Sequence, residues 1–221
     1  MKHFLDLADW TAADLQYLLD SAVTLKEEHR RGGNPPLLKG KTLAMVFQKP
    51  SLRTRVSFEI AMQQVGGYAF YLSPQEIGLG KRESTADIAR VLGGYVDAIM
   101  ARTFEHQHVL DLARWSAVPV INGLTDYNHP CQAMADLLTI YEEFGRLEGL
   151  HLAYIGDSNN VVTSLLMGAA QFGMKMTIGS PAGYQPRPAV LEKAHELAGG
   201  RLDVAVTDDP LAAVTGADVV Y

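Results

Sequence analysis

Arginine and hydroxyl side chains cluster in residues 48–55, between an apolar β-prone run and a helical pattern. Ser51 stands where a helix N-cap is expected, so the free backbone N–H groups of the first helical turn would point outward. Such a helix start binds anions, and an arginine can hold a phosphate through two parallel hydrogen bonds. The segment predicts an anion site to which Arg53 and Arg55 add positive charge. A capped helix with two exposed arginines is the alternative on local grounds.

Two further groups of polar residues follow predicted strands. Arg102 closes a strand predicted over residues 98–101, and the polar loop 122–132 follows a strand predicted over 119–122. His129 and Gln132 are three residues apart at a predicted helix start, so both can face one ligand. Neutral histidine and glutamine each offer a donor and an acceptor, which suits the carbonyl and amide groups of a small molecule. Taken singly, Arg102 is also typical of a surface residue and His129 of a structural hydrogen-bonding group.

The elements that must position these residues alternate between short apolar runs and helical patterns. Strands are predicted over 42–47, 69–72, 98–101, 119–122, 151–155, 175–178, 202–206 and 218–221. Helices are predicted from a start box at Thr11 and Asp14 to about Arg31, and over 56–65, 84–93, 105–115, 133–144, 161–172 and 189–197. The alternation predicts an α/β protein of two doubly wound parallel-sheet domains, the second incomplete in this chain. In such sheets the ligand groups follow the carboxyl ends of strands.

Composition excludes several classes of function. The chain has 221 residues, 48% of them hydrophobic, which is enough to build a buried core. A net charge of −6 argues against a nucleic-acid surface, which needs a basic face. An acid at position 6 and the absence of a long apolar run argue against a signal peptide and a membrane partner, so we predict a cytoplasmic protein. The single cysteine, Cys131, excludes an internal disulfide, and we expect it to be a packed residue rather than a nucleophile.

Two signatures in the chain are similar to those of a known family. Ser51-Leu52-Arg53-Thr54-Arg55 resembles the Ser-Thr-Arg-Thr-Arg signature of the carbamoyltransferases, and His129-Pro130-Cys131-Gln132 resembles their His-Pro-x-Gln signature, with Arg102 between. Leu52 departs from the usual threonine at a position that contributes mainly its backbone N–H. The resemblance covers the whole chain, and segments 78–84, 122–126 and 135–140 look more like the ornithine branch than the aspartate branch. Lys49, Lys81 and Arg82 are predicted to be solvated charges.

The resemblance implies a domain organisation and a reaction. Residues 1–132 would bind carbamoyl phosphate, 133–145 would form a linking helix, and 146–221 would be part of an ornithine-binding domain. The implied reaction transfers the carbamoyl group of carbamoyl phosphate to the δ-amine of L-ornithine, giving L-citrulline and phosphate in arginine biosynthesis or catabolism. No cofactor and no metal ion is expected.

The resemblance also implies a role for each site residue. Thr54, Arg102 and His129 would be catalytic donors to the carbonyl oxygen. The phosphate would be held by Ser51, the backbone of Leu52, Arg53 and Thr54. Gln132 would bind the carbamoyl nitrogen, and Asn160 the α-amino or carboxylate end of ornithine. Gln75 would enter a neighbouring subunit's site, which implies a homotrimer or a multiple of trimers. No general base is evident, and the phosphate itself can accept the proton of the amine.

Two alternatives stay open at this point. The acceptor could be another amine, such as aspartate, putrescine or an acylated ornithine, or the chain could be a non-catalytic module that binds a phosphorylated metabolite. Read alone, Asn159 and Asn160 are typical of a turn and a helix cap. Since the sequence stops on a predicted strand, we expect residues that grip ornithine to lie beyond Tyr221. A chain ending there would bind carbamoyl phosphate weakly without turning it over.

Overall fold

A computed structural model describes residues 2–79 and 83–221. Gly80, Lys81 and Arg82 lie outside the described residues, so the predicted surface position of the last two and part of the match over 78–84 stay predictions. Chain contacts divide the protein into two compact units. The first unit comprises the residues up to Leu5 and Ala22–Asp126, and the second unit comprises Asp6–Ser21 and Tyr127–Tyr221.

Strands and helices alternate along most of the chain. The strands are β1 Thr42–Phe47, β2 Tyr68–Leu72, β3 Ala98–Arg102, β4 Val120–Leu124, β5 His151–Ile155, β6 Lys175–Gly179, β7 Val204–Thr207 and β8 Val219–Val220. The α-helices are α1 Ala12–Arg30, α2 Leu52–Gln64, α3 Pro74–Ile77, α4 Thr85–Gly93, α5 His106–Trp115, α6 Pro130–Phe144, α7 Asn160–Phe172, α8 Pro188–Leu197 and α9 Pro210–Val214, and a short 3-10 helix spans Leu7–Asp9.

The first unit is built on a parallel sheet of order β2-β1-β3-β4. Side chains alternate across β1, so Ala44 and Val46 pack toward α4 and α5 while Met45 and Phe47 join residues of α2 on the other face. Because β1 and β3 are adjacent, Phe47 lies directly opposite Arg102. The carboxyl ends of these two strands therefore share one edge of the sheet.

A β-bulge interrupts the pairing of β3 with β4 at that edge. Ala101 lies opposite Asn122, but Arg102 lies opposite Leu124, so Gly123 is the extra residue on β4. A Cβ atom at Gly123 would stand 2.6 Å from Met100 Sδ, which explains why glycine fits there. Bulges bend a strand and re-aim the side chains beside them. This one lies directly beside Arg102.

The second unit contains a parallel sheet of order β7-β6-β5-β8. Helix α7 buries a continuous run, residues 162–170, as expected of a helix enclosed on most sides. His151 joins neighbouring segments of the sheet, because its Nε2 lies 2.7 Å from Thr177 Oγ1 and its Nδ1 lies 3.1 Å from the carbonyl of Gly216. The buried imidazole therefore has a partner at each ring nitrogen.

The predicted fold class, two parallel α/β sheets with flanking helices, is confirmed. Strands 42–47 and 151–155 have the predicted bounds, whereas α2 begins at Leu52 rather than 56 and α6 at Pro130 rather than 133. Both helices start in polar or proline-containing turns that carry no apolar periodicity. The short helices Leu7–Asp9, α3 and α9 were not predicted. The domain boundary at 132/133 stays a prediction.

Candidate active site

The sequence predicts an anion site at the N-terminus of α2. Ser51 is the N-cap with an extended backbone, φ −157° and ψ 117°, and its Oγ accepts from the Thr54 backbone N–H at 3.4 Å. The Ser51 hydroxyl also lies 3.0 Å from Thr54 Oγ1, to which it donates. Since the cap takes up one N–H group, the other N–H groups of the first turn stay available to bind an anion.

Arg102 reaches the same place from the end of β3. Its Nη1 donates to Thr54 Oγ1 at 3.4 Å, and its Nε is buried with no hydrogen-bond partner among residues 2–79 and 83–221. Burial lowers the pKa of the guanidinium, although an arginine stays charged at neutral pH. Thr54 Oγ1 accepts from both Ser51 and Arg102, so its own hydroxyl proton is left to donate. A partly desolvated cation and a hydroxyl donor thus meet at one point.

The two arginines of the signature have different surroundings. Arg55 Nε pairs with Glu59 at 3.0 Å, and its guanidinium lies 4.4 Å from the centre of the Tyr71 ring. Arg53 is exposed and has no ion pair or hydrogen bond within the described part of the chain. Of the two, Arg53 is therefore the one available to a bound anion, and Arg55 belongs to the surface of α2.

Gln48 braces the sheet edge that supports the anion site. Its backbone N–H donates to the Arg102 carbonyl at 2.9 Å, its Nε2 donates to the Leu79 carbonyl at 3.1 Å, and its Oε1 accepts from the Phe104 N–H at 3.1 Å. The Gln48 side chain thus connects the segments that follow β1, α3 and β3. Gln48 was not predicted as a functional residue; its place directly after a buried strand was the available signal.

His129 and Gln132 lie in the second unit, at the start of α6. The His129 N–H donates to Ser164 Oγ at 2.9 Å, and Ser164 is fully buried in α7. Gln132 Nε2 donates to Asp136 Oδ1 at 2.9 Å, one helical turn further on. Ser164 and Asp136 were not predicted. A buried serine in an apolar helix and a glutamine-aspartate pair four residues apart were the signals that could have found them.

Cys131 stands between these two residues, and burial of its thiol disfavours the thiolate at neutral pH. Although the residue keeps some exposed surface, burial of the thiol raises its pKa to about 12. The thiolate is the reactive form of cysteine, and at that pKa it is scarcely populated. This agrees with the expectation of a packed residue.

Asn160 and Gln75 occupy other element starts. Asn159 caps α7 and accepts from the Val161 N–H at 2.8 Å, which leaves Asn160 as the first helical residue. Beside it, the hydroxyl of Tyr154 donates to the Asp157 carbonyl at 2.8 Å. Gln75 is exposed in the first turn of α3, whose N-cap forms a reciprocal capping box with Glu76.

The structure brings Ser51, Leu52, Arg53, Thr54 and Arg102 together in the first unit, whereas His129, Gln132 and Asn160 belong to the second unit. Within the described ranges 2–79 and 83–221, no three His, Cys, Asp or Glu side chains are grouped so that they could hold a metal ion. No helix in those ranges is long and apolar enough to cross a membrane. The first-unit cluster has the chemistry of a phosphate site.

Known proteins are similar to this chain in sequence and in fold. Residues 2–142 match the carbamoyl-P binding domain of aspartate/ornithine carbamoyltransferase, and residues 148–221 match its Asp/Orn binding domain. The chain belongs to the aspartate/ornithine carbamoyltransferase family. The ornithine carbamoyltransferase of Anoxybacillus flavithermus is 54% identical over 221 residues, which cover 100% of this chain and 70% of that protein.

Solved carbamoyltransferase structures superpose closely on the chain. Ornithine carbamoyltransferase from Pyrococcus furiosus has a TM-score of 0.97 at 46% identity and covers 100% of this chain and 71% of its own. An N-acetyl-L-ornithine transcarbamylase has a TM-score of 0.88 at 35% identity, and the match covers 100% of this chain and 75% of that chain. The resemblance that the two signatures predicted is confirmed. The second structure shows that a related fold also serves an acylated acceptor.

Proposed function

We propose that this carbamoyltransferase moves the carbamoyl group of carbamoyl phosphate to the δ-amine of L-ornithine, forming L-citrulline and phosphate. The observation that carries the proposal is the meeting of Arg102 with Thr54 at the capped N-terminus of α2, a set of donors that suits the phosphate of an acyl phosphate. The chain as a whole has a net charge of −6 and therefore does not attract anions in general. Cationic and N–H groups concentrated at one place favour the binding of one specific anion there.

In the proposed mechanism the amine attacks the carbonyl carbon directly. As the C–N bond forms, negative charge builds on the carbonyl oxygen, and Thr54, Arg102 and His129 donate to it. The bond from carbon to the phosphate oxygen then breaks, and the departing electron pair stays on phosphate. The phosphate takes up the proton that the amine nitrogen must lose, so neither a covalent intermediate nor a cofactor is required.

The remaining proposed contacts hold the leaving phosphate, the carbamoyl nitrogen and the acceptor. Ser51, the Leu52 backbone N–H and Arg53 hold the leaving phosphate, whose growing charge they stabilise. Gln132 binds the carbamoyl nitrogen, and Asn160 binds the α-amino or carboxylate end of ornithine. The exposed position of Arg53 supports its role at the phosphate. The Nε of Arg102, which has no hydrogen-bond partner within the described residues, supports the role of Arg102 at the carbonyl oxygen.

We also propose that the active unit is a homotrimer or a multiple of trimers in the cytoplasm. Leu52, Val56 and Ile60 form an apolar stripe at four-residue spacing on α2, exposed by 78%, 45% and 44%. We expect this stripe to form part of a subunit interface. Gln75 is exposed as well and can contribute to a partner's site. A single cysteine fits a reducing compartment.

The test is citrulline production by the full-length protein with carbamoyl phosphate fixed and the amine varied among ornithine, N-acetylornithine, aspartate and putrescine. We expect ornithine to have the highest kcat/KM. A higher kcat/KM with another amine would make that amine the acceptor in place of ornithine. Absence of a carbamoylated product with every amine would refute transferase activity.

A variant that tests the site is Arg102→Ala. We expect its kcat/KM to fall by at least about a hundredfold, as for loss of one oxyanion donor. Arg114→Ala is the control, because it removes an arginine that has no proposed role at the site. The Arg114 guanidinium lies in α5, 5.1 Å from the centre of the Trp115 ring. An Arg102→Ala enzyme with normal kcat/KM would remove the anion site from the proposal.

A further inference from the structure

Gln132 takes an unusual direction at the start of α6. It is the third helical residue, where a glutamine often turns back to hydrogen-bond the backbone N–H of the N-cap. Here the N-cap is His129, and its N–H donates to Ser164 Oγ at 2.9 Å instead. Gln132 points along the helix, where its Nε2 donates to Asp136 Oδ1 at 2.9 Å. The amide nitrogen is thereby committed, and the amide oxygen lies on the opposite side of the group.

Asp136 can select this orientation because an ionised carboxylate only accepts hydrogen bonds. The two ends of a glutamine amide are nearly identical in shape, but one end donates and the other accepts. If the Gln132 amide turned over, its Oε1 would face Asp136 Oδ1 with no proton between the two oxygens. An unpartnered glutamine populates both orientations to similar extents. Next to Asp136 only one is favourable.

Asp136 is costly for the fold. Its Oδ2 is buried and has no hydrogen-bond partner in the part of the chain that the structure describes. Burial raises the pKa of its carboxyl group, and the hydrogen bond from Gln132 opposes that rise. A buried acceptor without a partner destabilises a protein. Packing therefore gives no reason for an aspartate at this position, whereas control of the Gln132 amide does.

We propose that Asp136 is a positioning residue that fixes the Gln132 amide with Oε1 toward the –NH2 of carbamoyl phosphate, and so selects carbamoyl over acetyl phosphate. Acetyl phosphate has a methyl group where carbamoyl phosphate has the amine, and a methyl group cannot donate to Oε1. The inference rests on the proposed function only in that Gln132 meets the carbamoyl nitrogen. It does not involve ornithine.

The experiment compares three probes: carbamoyl phosphate, acetyl phosphate and inorganic phosphate. Their dissociation constants are measured for the full-length wild type and for Asp136→Leu, which keeps the size of the side chain and removes the acceptor. We expect the affinity for carbamoyl phosphate to fall about threefold to tenfold, the size of one hydrogen bond. Affinities for acetyl phosphate and phosphate should change by less than about twofold, because neither presents an N–H to Gln132.

Asp136→Asn controls for folding and for charge. An asparagine can accept from or donate to the Gln132 amide, so we expect a smaller loss of carbamoyl phosphate affinity than in Asp136→Leu. Burial raises the pKa of Asp136 in the folded state. The free energy of unfolding therefore falls as the pH rises from the pKa of Asp136 in the unfolded chain to its pKa in the folded protein. Asp136→Asn should therefore unfold at the same or a higher temperature near pH 7.

A rescue experiment tests the hydrogen-bond direction itself. Gln132→Glu places a carboxylate against Asp136 and should bind carbamoyl phosphate poorly, because two like charges then share the site. Adding Asp136→Asn gives the glutamate a donor and leaves an acceptor toward the ligand. We expect the double variant to bind carbamoyl phosphate at least about threefold more tightly than Gln132→Glu alone, as coupled neighbours do.

Two outcomes would overturn the inference. Equal losses for all three probes in Asp136→Leu would make Asp136 a structural residue, and unchanged affinity for carbamoyl phosphate with no rescue would give it no role. Failure of the proposed function has a different signature. A wild type that makes no citrulline from ornithine, while the three probes respond as expected, would refute ornithine as the acceptor and leave the role of Asp136 intact.

Discussion

Arg53 and Arg55 lie two residues apart on α2, yet only Arg55 has an electrostatic partner among the described residues. The difference follows from the helix geometry. Arg55 is four residues before Glu59 and therefore on the same face, whereas Arg53 lies at the capped end where N–H groups are free. A planar guanidinium with two parallel donors is suited to a phosphate in a way that an ammonium is not.

We therefore predict that Arg53→Lys raises the KM for carbamoyl phosphate roughly tenfold or more, the range for hydrogen bonds to a charged group. Arg55→Lys is the matched control and should change KM by less than about twofold, since exposed ion pairs contribute little. Steady-state kinetics with saturating ornithine measures both. Similar values for the two variants would contradict the assignment of the phosphate to Arg53.

At the scale of elements, the N-cap of α2 is proposed to do two things: stabilise the helix and shape the phosphate site. Thr11 supplies a comparable cap on α1, where its Oγ1 accepts from the Asp14 N–H at 3.1 Å. We predict that Ser51→Ala and Thr11→Ala each lower the free energy of unfolding by about 1 kcal/mol. Only Ser51→Ala should also weaken phosphate binding.

Chemical denaturation and calorimetric titration with inorganic phosphate separate the two effects. If Thr11→Ala weakened phosphate binding as much as Ser51→Ala, the loss would reflect stability rather than contact with the ligand.

The bulge between β3 and β4 leads to a second prediction at this scale. Gly123→Ala would place a Cβ 2.6 Å from Met100 Sδ and 3.3 Å from the Ala101 carbonyl, so the Met100 side chain must repack or the strands must shift beside Arg102. We expect kcat/KM to fall by about tenfold or more, together with roughly 1–3 kcal/mol of stability. Gly94→Ala is the control, since its nearest contact would be an ordinary 3.4 Å. Normal kinetics in a destabilised Gly123→Ala enzyme would show that the bulge does not aim Arg102.

At the scale of the whole molecule, the exposed Gln75 and the apolar stripe on α2 support a site shared between subunits. We predict that inactive Gln75→Ala and Arg53→Ala chains recover about a quarter of wild-type activity when mixed at equal amounts and allowed to exchange. One site in four then receives an intact residue from each chain. Citrulline formation measures the recovery.

The control mixes Arg53→Ala with Arg102→Ala, two changes on the same unit, and should recover nothing. Absence of recovery with Gln75→Ala despite proven exchange would place Gln75 outside a neighbouring site.

The sequence by itself determined the local features of this protein. Alternating apolar runs predicted β1 and β5 with their observed bounds, and Thr11 and Asp14 marked the start of α1 through side chains that reach backbone N–H groups three residues away. The two signatures indicated the family, since the chemistry of a phosphate site resides in residue types at short spacing. These features depend on neighbours within a few residues, so a linear pattern contains them.

The tertiary structure decided what depends on residues far apart in the chain. Helix periodicity could not reveal that Ser164 holds the backbone of His129, that Gln48 braces Leu79 and Phe104, or that contacts assign residues 6–21 to the second unit. The bulge beside Arg102 has its extra residue, Gly123, on a different strand. Local propensity cannot specify such contacts, because their energies arise only when distant segments pack together.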